Sequence, residues 1–368
     1  MGKKGYLILE NGKIFEGVSF GSVSDRNGEV VFNTGMVGYP EGITDPSYFG
    51  QILVTTYPLI GNYGVPDDAV DNMGIKTNFE SDRIQIRGLI VSRYMDHKKH
   101  WQAKRTLSDW LISQNIPALQ GIDTRTLTKM LRQKGVMKGA IKFGPPPSRH
   151  TSGLFLKNVK DINEENLVQE VSCRKPLFYG KGSLKILLID CGVKNNIIRN
   201  LVSRNLSVVR VPWDFDPYRN NGISGFDAVV VSNGPGDPKM AIKTIGTVQK
   251  LLSEKIPFFG ICLGNQILAL AIGADTYKLK YGHRGQNQPV RDCFTGKCFV
   301  TTQNHGFTVD GSSLPSGWHP WFINLNDNTN EGIRHEKLPF ISIQFHPEAT
   351  PGPLDTDWIF DYFVKLLK

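Results

Sequence analysis

With 368 residues, of which 40% are hydrophobic, the chain is long enough for about two domains at ~150 residues each. No apolar run approaches the ~18 residues of a membrane span. The first residues, Met1 to Tyr6, carry no signal-peptide core, and five scattered cysteines make no disulfide framework. A cytoplasmic, reducing setting without a membrane is therefore expected. The net charge is +9, and Arg125 to Arg149 holds seven basic residues and no acidic one. No helix-turn-helix, RNP or zinc spacing accompanies that charge, so we read it as a solvated face or a surface for an acidic protein partner, not for nucleic acid.

Residues 1–60 read as β-rich. Tyr6 to Leu9 and Lys13 to Phe20 flank Asn11-Gly12, a hairpin signal. Val30 to Phe32, Gln51 to Tyr57 and Gly88 to Val91 are further strand candidates. Thr106 to Ser113 has apolar residues at helical spacing, and a second helix opens at Asp123 or Thr124 and ends by Gly135. Val136 to Phe143 reads as a closing strand. The polar stretch 144–182 reads as a connector, which divides the chain into domains 1–182 and 183–368.

From residue 183, strands and helices alternate. Strands are expected at Lys185 to Asp190, Ser207 to Val211, Asp227 to Ser232, Pro257 to Ile261, Cys298 to Thr302, Trp321 to Leu325 and Phe340 to Phe345. Helices are expected at Val193 to Val202, Ala241 to Leu252, Asn265 to Ile272 and Asp355 to Leu367. This order predicts an α/β fold: a C-terminal doubly wound, mostly parallel sheet with a separate β-rich α/β N-terminal domain. Ligands of such sheets bind beyond the carboxyl ends of the strands. Three loops of chemical character fall there: 233–238, 260–264 and 346–350.

Gly260-Ile261-Cys262-Leu263-Gly264 joins an apolar strand to a helix. A cysteine on such a turn is exposed at the sheet edge and sits at a helix N-terminus, which favours a thiolate. A small buried cysteine beside a glycine turn is the plainer reading. A nucleophile needs a base and the base an orienting group. His346 follows a strand, and Glu348, two residues on, shares its side if the segment stays extended; a surface turn is the alternative. The N–H of Leu263 and the glycines of Asn233-Gly234-Pro235-Gly236 are candidate oxyanion donors. Gln303-Asn304-His305-Gly306-Phe307 suits a small polar ligand. No zinc, calcium, P-loop or G-x-G-x-x-G spacing is present, so no metal and no ATP site is expected in this chain.

Taken together, G-I-C-L-G-N-Q, S-N-G-P-G-D-P, Q-N-H-G-F and F-H-P-E-A-T-P-G-P resemble the class I, triad-bearing glutamine amidotransferases. In the first half, F-N-T-G-M-V-G-Y-P-E, I-T-D-P-S-Y, Y-P-L-I-G-N-Y-G and G-I-D-T-R-T-L-T are similar to the N-terminal domain of the carbamoyl-phosphate synthase small chain. The resemblance implies that Cys262 attacks the side-chain amide of L-glutamine, that His346 relays protons, and that Glu348 orients it. It implies oxyanion donors at Leu263 and Gly234, and glutamine-binding positions at Ser47, Gly236, Gln266, Asn304, Gly306 and Phe307. It further implies a large synthetase chain as partner, with ATP, Mg and bicarbonate on that chain, and leaves room for a higher oligomer of heterodimers. The carbamoyl phosphate would serve arginine biosynthesis, pyrimidine biosynthesis or both. A glutaminase for another synthase, or a non-catalytic regulatory subunit, are the alternatives. Two departures from the family pattern, Asn265 in the elbow and the Arg284, Gln286 and Gln288 of G-H-R-G-Q-N-Q-P, put the tuning of the thiol in question, not the reaction.

Overall fold

The computed structural model describes residues 2–96, 100–146, 156, 159–219 and 225–368. Two compact units emerge, Met1–Glu164 and Glu165–Lys368. The division falls inside the expected connector, ahead of the expected boundary at Ser183. The reason is local: β10 (Leu177–Tyr179) pairs antiparallel with a strand of the second unit, Leu177 opposite Arg210 and Tyr179 opposite Val208. Of the connector, residues 147–155 and 157–158, including Arg149 of the basic stretch, lie outside the described residues.

The first unit is a closed seven-stranded barrel. Its strands are β1 (Lys4–Leu9), β2 (Ile14–Ser19), β3 (Arg26–Asn33), β4 (Gln51–Thr55), β6 (Gly88–Ile90), β8 (Ala118–Gln120) and β9 (Met137–Phe143), ordered β1-β2-β8-β6-β4-β3-β9. A small pair, β5 (Leu59–Ile60) and β7 (Arg93–Tyr94), stands apart from it. The Asn11-Gly12 turn joins β1 to β2, with Gly12 at φ 80°. Closure removes sheet edges, and the apolar alternation fills the interior. Asp123 caps the helix Thr124–Lys134 by accepting from the Thr126 N–H at 2.9 Å. Leu127 and Leu131 of that helix are buried, whereas Arg125, Lys129, Arg132 and Lys134 are exposed. The basic stretch is thus in large part the solvated face of an amphipathic helix.

The second unit carries one ten-stranded sheet. Five strands are parallel at its centre: β11 (Leu184–Asp190), β12 (Leu206–Pro212), β13 (Ala228–Val231), β14 (Phe258–Ile261) and β19 (Phe340–Ile343), in the order β12-β11-β13-β14-β19. Beyond β19 the sheet continues antiparallel through β18 (Asn330–His335), β17 (Trp318–Asn324), β15 (Thr276–Asp292) and β16 (Cys298–Val309). It is parallel only in its core, and β15 is a strand the sequence pattern does not announce. The central strands are apolar on both sides because helices cover both faces. Phe258 packs with Val248, Leu251 and Ile267 of the helices Ile242–Ser253 and Leu263–Ala271. Its neighbour Phe259 faces the other way, onto Phe360 and Phe363 of the helix Trp358–Leu366. Among the described residues no helix is long and apolar enough to cross a membrane.

Candidate active site

Strands β13, β14 and β19 are neighbours, so the three loops leaving their carboxyl ends converge. The middle loop is the elbow. Cys262 adopts φ 54°, ψ −101° and is the N-cap of the helix Leu263–Ala271. A non-glycine residue held at such a φ is strained, and such strain is found at nucleophile elbows. The flanking glycines are sterically required. A Cβ at Gly260 would strike the carbonyl of Gly264, and one at Gly264 would strike the carbonyl of Val231. The helix begins at Leu263, two residues earlier than the apolar pattern suggests. The N–H of Leu263, at the first helical position, has no intrahelical acceptor.

His346 comes three residues after β19, and its backbone N–H donates to the Thr302 carbonyl at 2.9 Å, which ties it to β16. The chain does not stay extended here: the segment turns, with the Ala349 N–H donating to the His346 carbonyl at 3.2 Å. The i, i+2 argument for an extended strand is therefore replaced by a turn, and the turn brings the same two side chains together. His346 Nδ1 lies 2.6 Å from Glu348 Oε1, and both residues are fully buried. The other ring nitrogen, Nε2, has no hydrogen-bond partner of good geometry. Burial disfavours a charge on this imidazole, but Glu348, and after it Cys262, outweigh burial and raise its pKa. Burial likewise pushes Glu348 up, yet Lys194 and then His346 hold it below the usual carboxylate range. An imidazolium close to the sulfur is what a reactive thiolate requires.

Lys194 is a residue the sequence reading missed. Its ammonium sits 3.0 Å from Glu348 Oε1 and also donates to the Ala349 carbonyl. It is held from behind, where the Asn233 side chain accepts from the Lys194 N–H at 3.1 Å. Asn196 donates to the Glu348 carbonyl, so two residues at the start of one helix fix the turn that carries the carboxylate. No local pattern marks Lys194; its place just ahead of a helix, in a loop after a parallel strand, was the one available hint.

The expected ligand-binding residues of the second unit lie on the loop after β13, on the elbow helix and on β16. Gly234 abuts the Leu263 side chain. Gly236 stands at φ 84° in the same loop. Asn304, Gly306 and Phe307 do not follow β16 but lie within it, on the stretch facing the elbow; the Cys262 thiol donates to the Asn304 carbonyl at 3.8 Å. Gln266 Nε2 donates to the Phe307 carbonyl at 2.8 Å, while its Oε1 is buried without a partner. Asn265 donates to the side chain of Gln344 at 3.2 Å and does not touch the sulfur. Ser47 belongs to the first unit, in the turn Pro46–Tyr48, where its N–H donates to Asp45 Oδ1 at 2.9 Å.

Among the described residues one other cluster could attract a cation: His283, His305 and Glu331 place ligand atoms within 4.8 Å of one another. Its nitrogens are already engaged. His283 lies between Asp327 at 2.8 Å and Glu331 at 3.3 Å. His305 lies between the Phe307 carbonyl at 2.8 Å and Gln303 at 3.2 Å. The four ring nitrogens are thus taken by hydrogen bonds and ion pairs, while Glu331 Oε2 is buried without a partner. His283, one of the residues of the G-H-R-G-Q-N-Q-P stretch, thus serves β15, β18 and the turn between β17 and β18.

Both halves of the chain resemble known proteins. Residues 187–366 match the family described as glutamine amidotransferase class-I, and residues 7–141 match carbamoyl-phosphate synthase small chain, CPSase domain. The carbamoyl phosphate synthase small chain of Pyrococcus furiosus is 46% identical over 370 residues, 100% of this chain and 98% of that one. The multifunctional protein pyr1-3 of Dictyostelium discoideum is 47% identical over 98% of this chain, and human mitochondrial carbamoyl-phosphate synthase [ammonia] is 46% identical over 99% of it. This chain spans only 17% and 24% of the lengths of those two. A triad-bearing elbow on a class I sheet, preceded in the sequence by a barrel unit of the matching kind, and near-complete alignment to a free-standing small chain lead to one conclusion: the chain belongs to the carbamoyl phosphate synthase small chain family.

Proposed function

We propose that this chain is the glutamine-hydrolysing subunit of a carbamoyl-phosphate synthase. The observation that carries the reading is the buried Cys262, His346 and Glu348 set on adjacent loops of the amidotransferase sheet. The sulfur of Cys262 attacks the amide carbon of L-glutamine. The developing oxyanion takes N–H bonds from Leu263 and Gly234, in a water-poor site where such donors count most. His346, through its open Nε2, gives a proton to the departing ammonia and then takes one from the water that cleaves the thioester. Glu348 holds the ring by Nδ1, and Lys194 keeps that carboxylate ionised.

The unpartnered Gln266 Oε1 suits the α-ammonium of the substrate. Gly236, Asn304, Gly306 and Phe307 would complete the glutamine site. The ammonia is consumed by a large synthetase chain carrying ATP, Mg and bicarbonate; this chain itself needs no cofactor. Five unpaired cysteines suit a reducing cytoplasm. The test is glutamate release from glutamine by the purified chain, alone and with its large chain, wild type beside Cys262→Ala. Release that rises with the partner and vanishes in the variant is expected. Undiminished release by Cys262→Ala would overturn the proposal.

A further inference from the structure

The sulfur of Cys262 has a neighbour outside the Cys–His–Glu set. Gln344 follows β19 directly and is fully buried. Its backbone N–H donates to the Glu331 carbonyl at 2.8 Å, and its side-chain nitrogen lies 3.6 Å from Cys262 Sγ. Which end of an amide faces a neighbour is decided by the hydrogen-bond network around it, and here the network leaves one answer. A backbone carbonyl only accepts, so the end of Gln266 that meets the Phe307 carbonyl is its NH2. That same nitrogen lies 3.1 Å from Gln344, which must therefore turn its oxygen toward it. Asn265 donates to the same oxygen at 3.2 Å and is itself oriented by the Ser342 hydroxyl, which donates to Asn265 Oδ1 at 2.7 Å. The NH2 of Gln344 is left facing the sulfur.

We propose that Gln344 is a positioning residue for the nucleophile: its side-chain N–H donates to the Cys262 sulfur, and Gln266 and Asn265 lock it in that orientation. A sulfur anion accepts such a bond far better than a neutral thiol, whose own proton goes to the Asn304 carbonyl. The donor thus favours the ionised form and fixes the side-chain rotamer from which it attacks. It also assigns a task to Asn265, which acts on the sulfur through Gln344 and not by contact. Gln266 acquires a second duty beside its substrate-facing oxygen. The inference rests on Cys262 being the glutaminase nucleophile.

The experiment is the rate of Cys262 alkylation by iodoacetamide across pH, read by mass spectrometry of the Cys262 peptide, for wild type, Gln344→Leu and Gln344→Glu. Gln344→Leu should move half-maximal alkylation about one pH unit upward and slow it about tenfold near neutrality. Glutamine turnover should fall about tenfold in kcat with KM within about threefold. Gln344→Glu keeps the shape and replaces the donor by an acceptor, so its profile should move further up. A merely structural role lowers the amount of folded protein and leaves the profile in place. Profiles superimposable on wild type in the folded variants would overturn the inference, and if the leucine variant does not fold, the isosteric glutamate variant decides. Retained glutamate release by Cys262→Ala would sink the glutaminase reading instead, a result the alkylation profiles do not mimic.

Discussion

Two buried histidines of the second unit, His346 and His283, look alike at first sight. Each is all but inaccessible, each has a carboxylate on Nδ1, and each has its pKa raised by carboxylates that outweigh burial. The difference is the second nitrogen. In His283 it meets Asp327 at 2.8 Å, so the ring is a charged brace between two acids. In His346 it has no acceptor and faces the elbow sulfur. A histidine with both nitrogens committed can only hold structure, whereas one with a single committed nitrogen can move a proton. The second carboxylate differs as well. Glu348 is balanced by Lys194 and lies low, while Glu331 relies on His283 and is pushed up by burial.

The sharpest way to break this comparison is activity. Cys262→Ala should abolish glutamate release, a loss of about 10⁴-fold or more. His346→Asn should lose about 10²–10⁴-fold, and His283→Asn should stay within about threefold of wild type. Similar losses at the two histidines would refute the division of roles. Next comes the carboxylate and its cation: Glu348→Gln should lower kcat by about 10²-fold, and Lys194→Met by about tenfold with KM little changed. A KM effect alone would place Lys194 at the substrate, not behind the base.

Stability sharpens the contrast from the other side. His283→Asn leaves Asp327 and Glu331 without their cation, a change worth about 3 kcal/mol in urea unfolding. His346→Asn should cost less, because Lys194 still neutralises Glu348. The smallest effect is in pH. The pKa of His283 is raised to about 9 by Asp327 and Glu331 against burial, from 6.5 unfolded. Its contribution is therefore complete below about pH 6.5 and is lost as pH rises through about 9. The wild-type Tm should fall over that window, and His283→Asn should flatten the fall; an unchanged slope would mean that the ring is not a charged brace.

Much of the site could be read before the fold. The elbow pentapeptide dictates its own geometry, since only glycine fits where Gly260 and Gly264 meet backbone carbonyls. His346 and Glu348 are close in sequence, so a turn was enough to join them, although the expected extended geometry was not the one adopted. Apolar runs such as Lys185 to Asp190 mark strands covered on both faces. The long polar β15 escaped because it carries glycines and a proline and no clean alternation, and its pairing with β16 supplies what its own pattern lacks. For the same reason the Q-N-H-G-F stretch reads as a loop but is ladder.

What the sequence alone determined, then, is the set of local chemistries: the strand–Cys–helix turn, the His-Pro-Glu turn, the glycine loop and the alternation that builds a sheet with helices on both faces. Which distant groups complete that chemistry was decided only by the tertiary structure. Lys194 reaches Glu348 across 154 positions and Gln344 reaches Cys262 across 82. Neither contact leaves a periodic or compositional trace, because a hydrogen bond between parallel neighbours depends on strand order, and strand order is settled by packing.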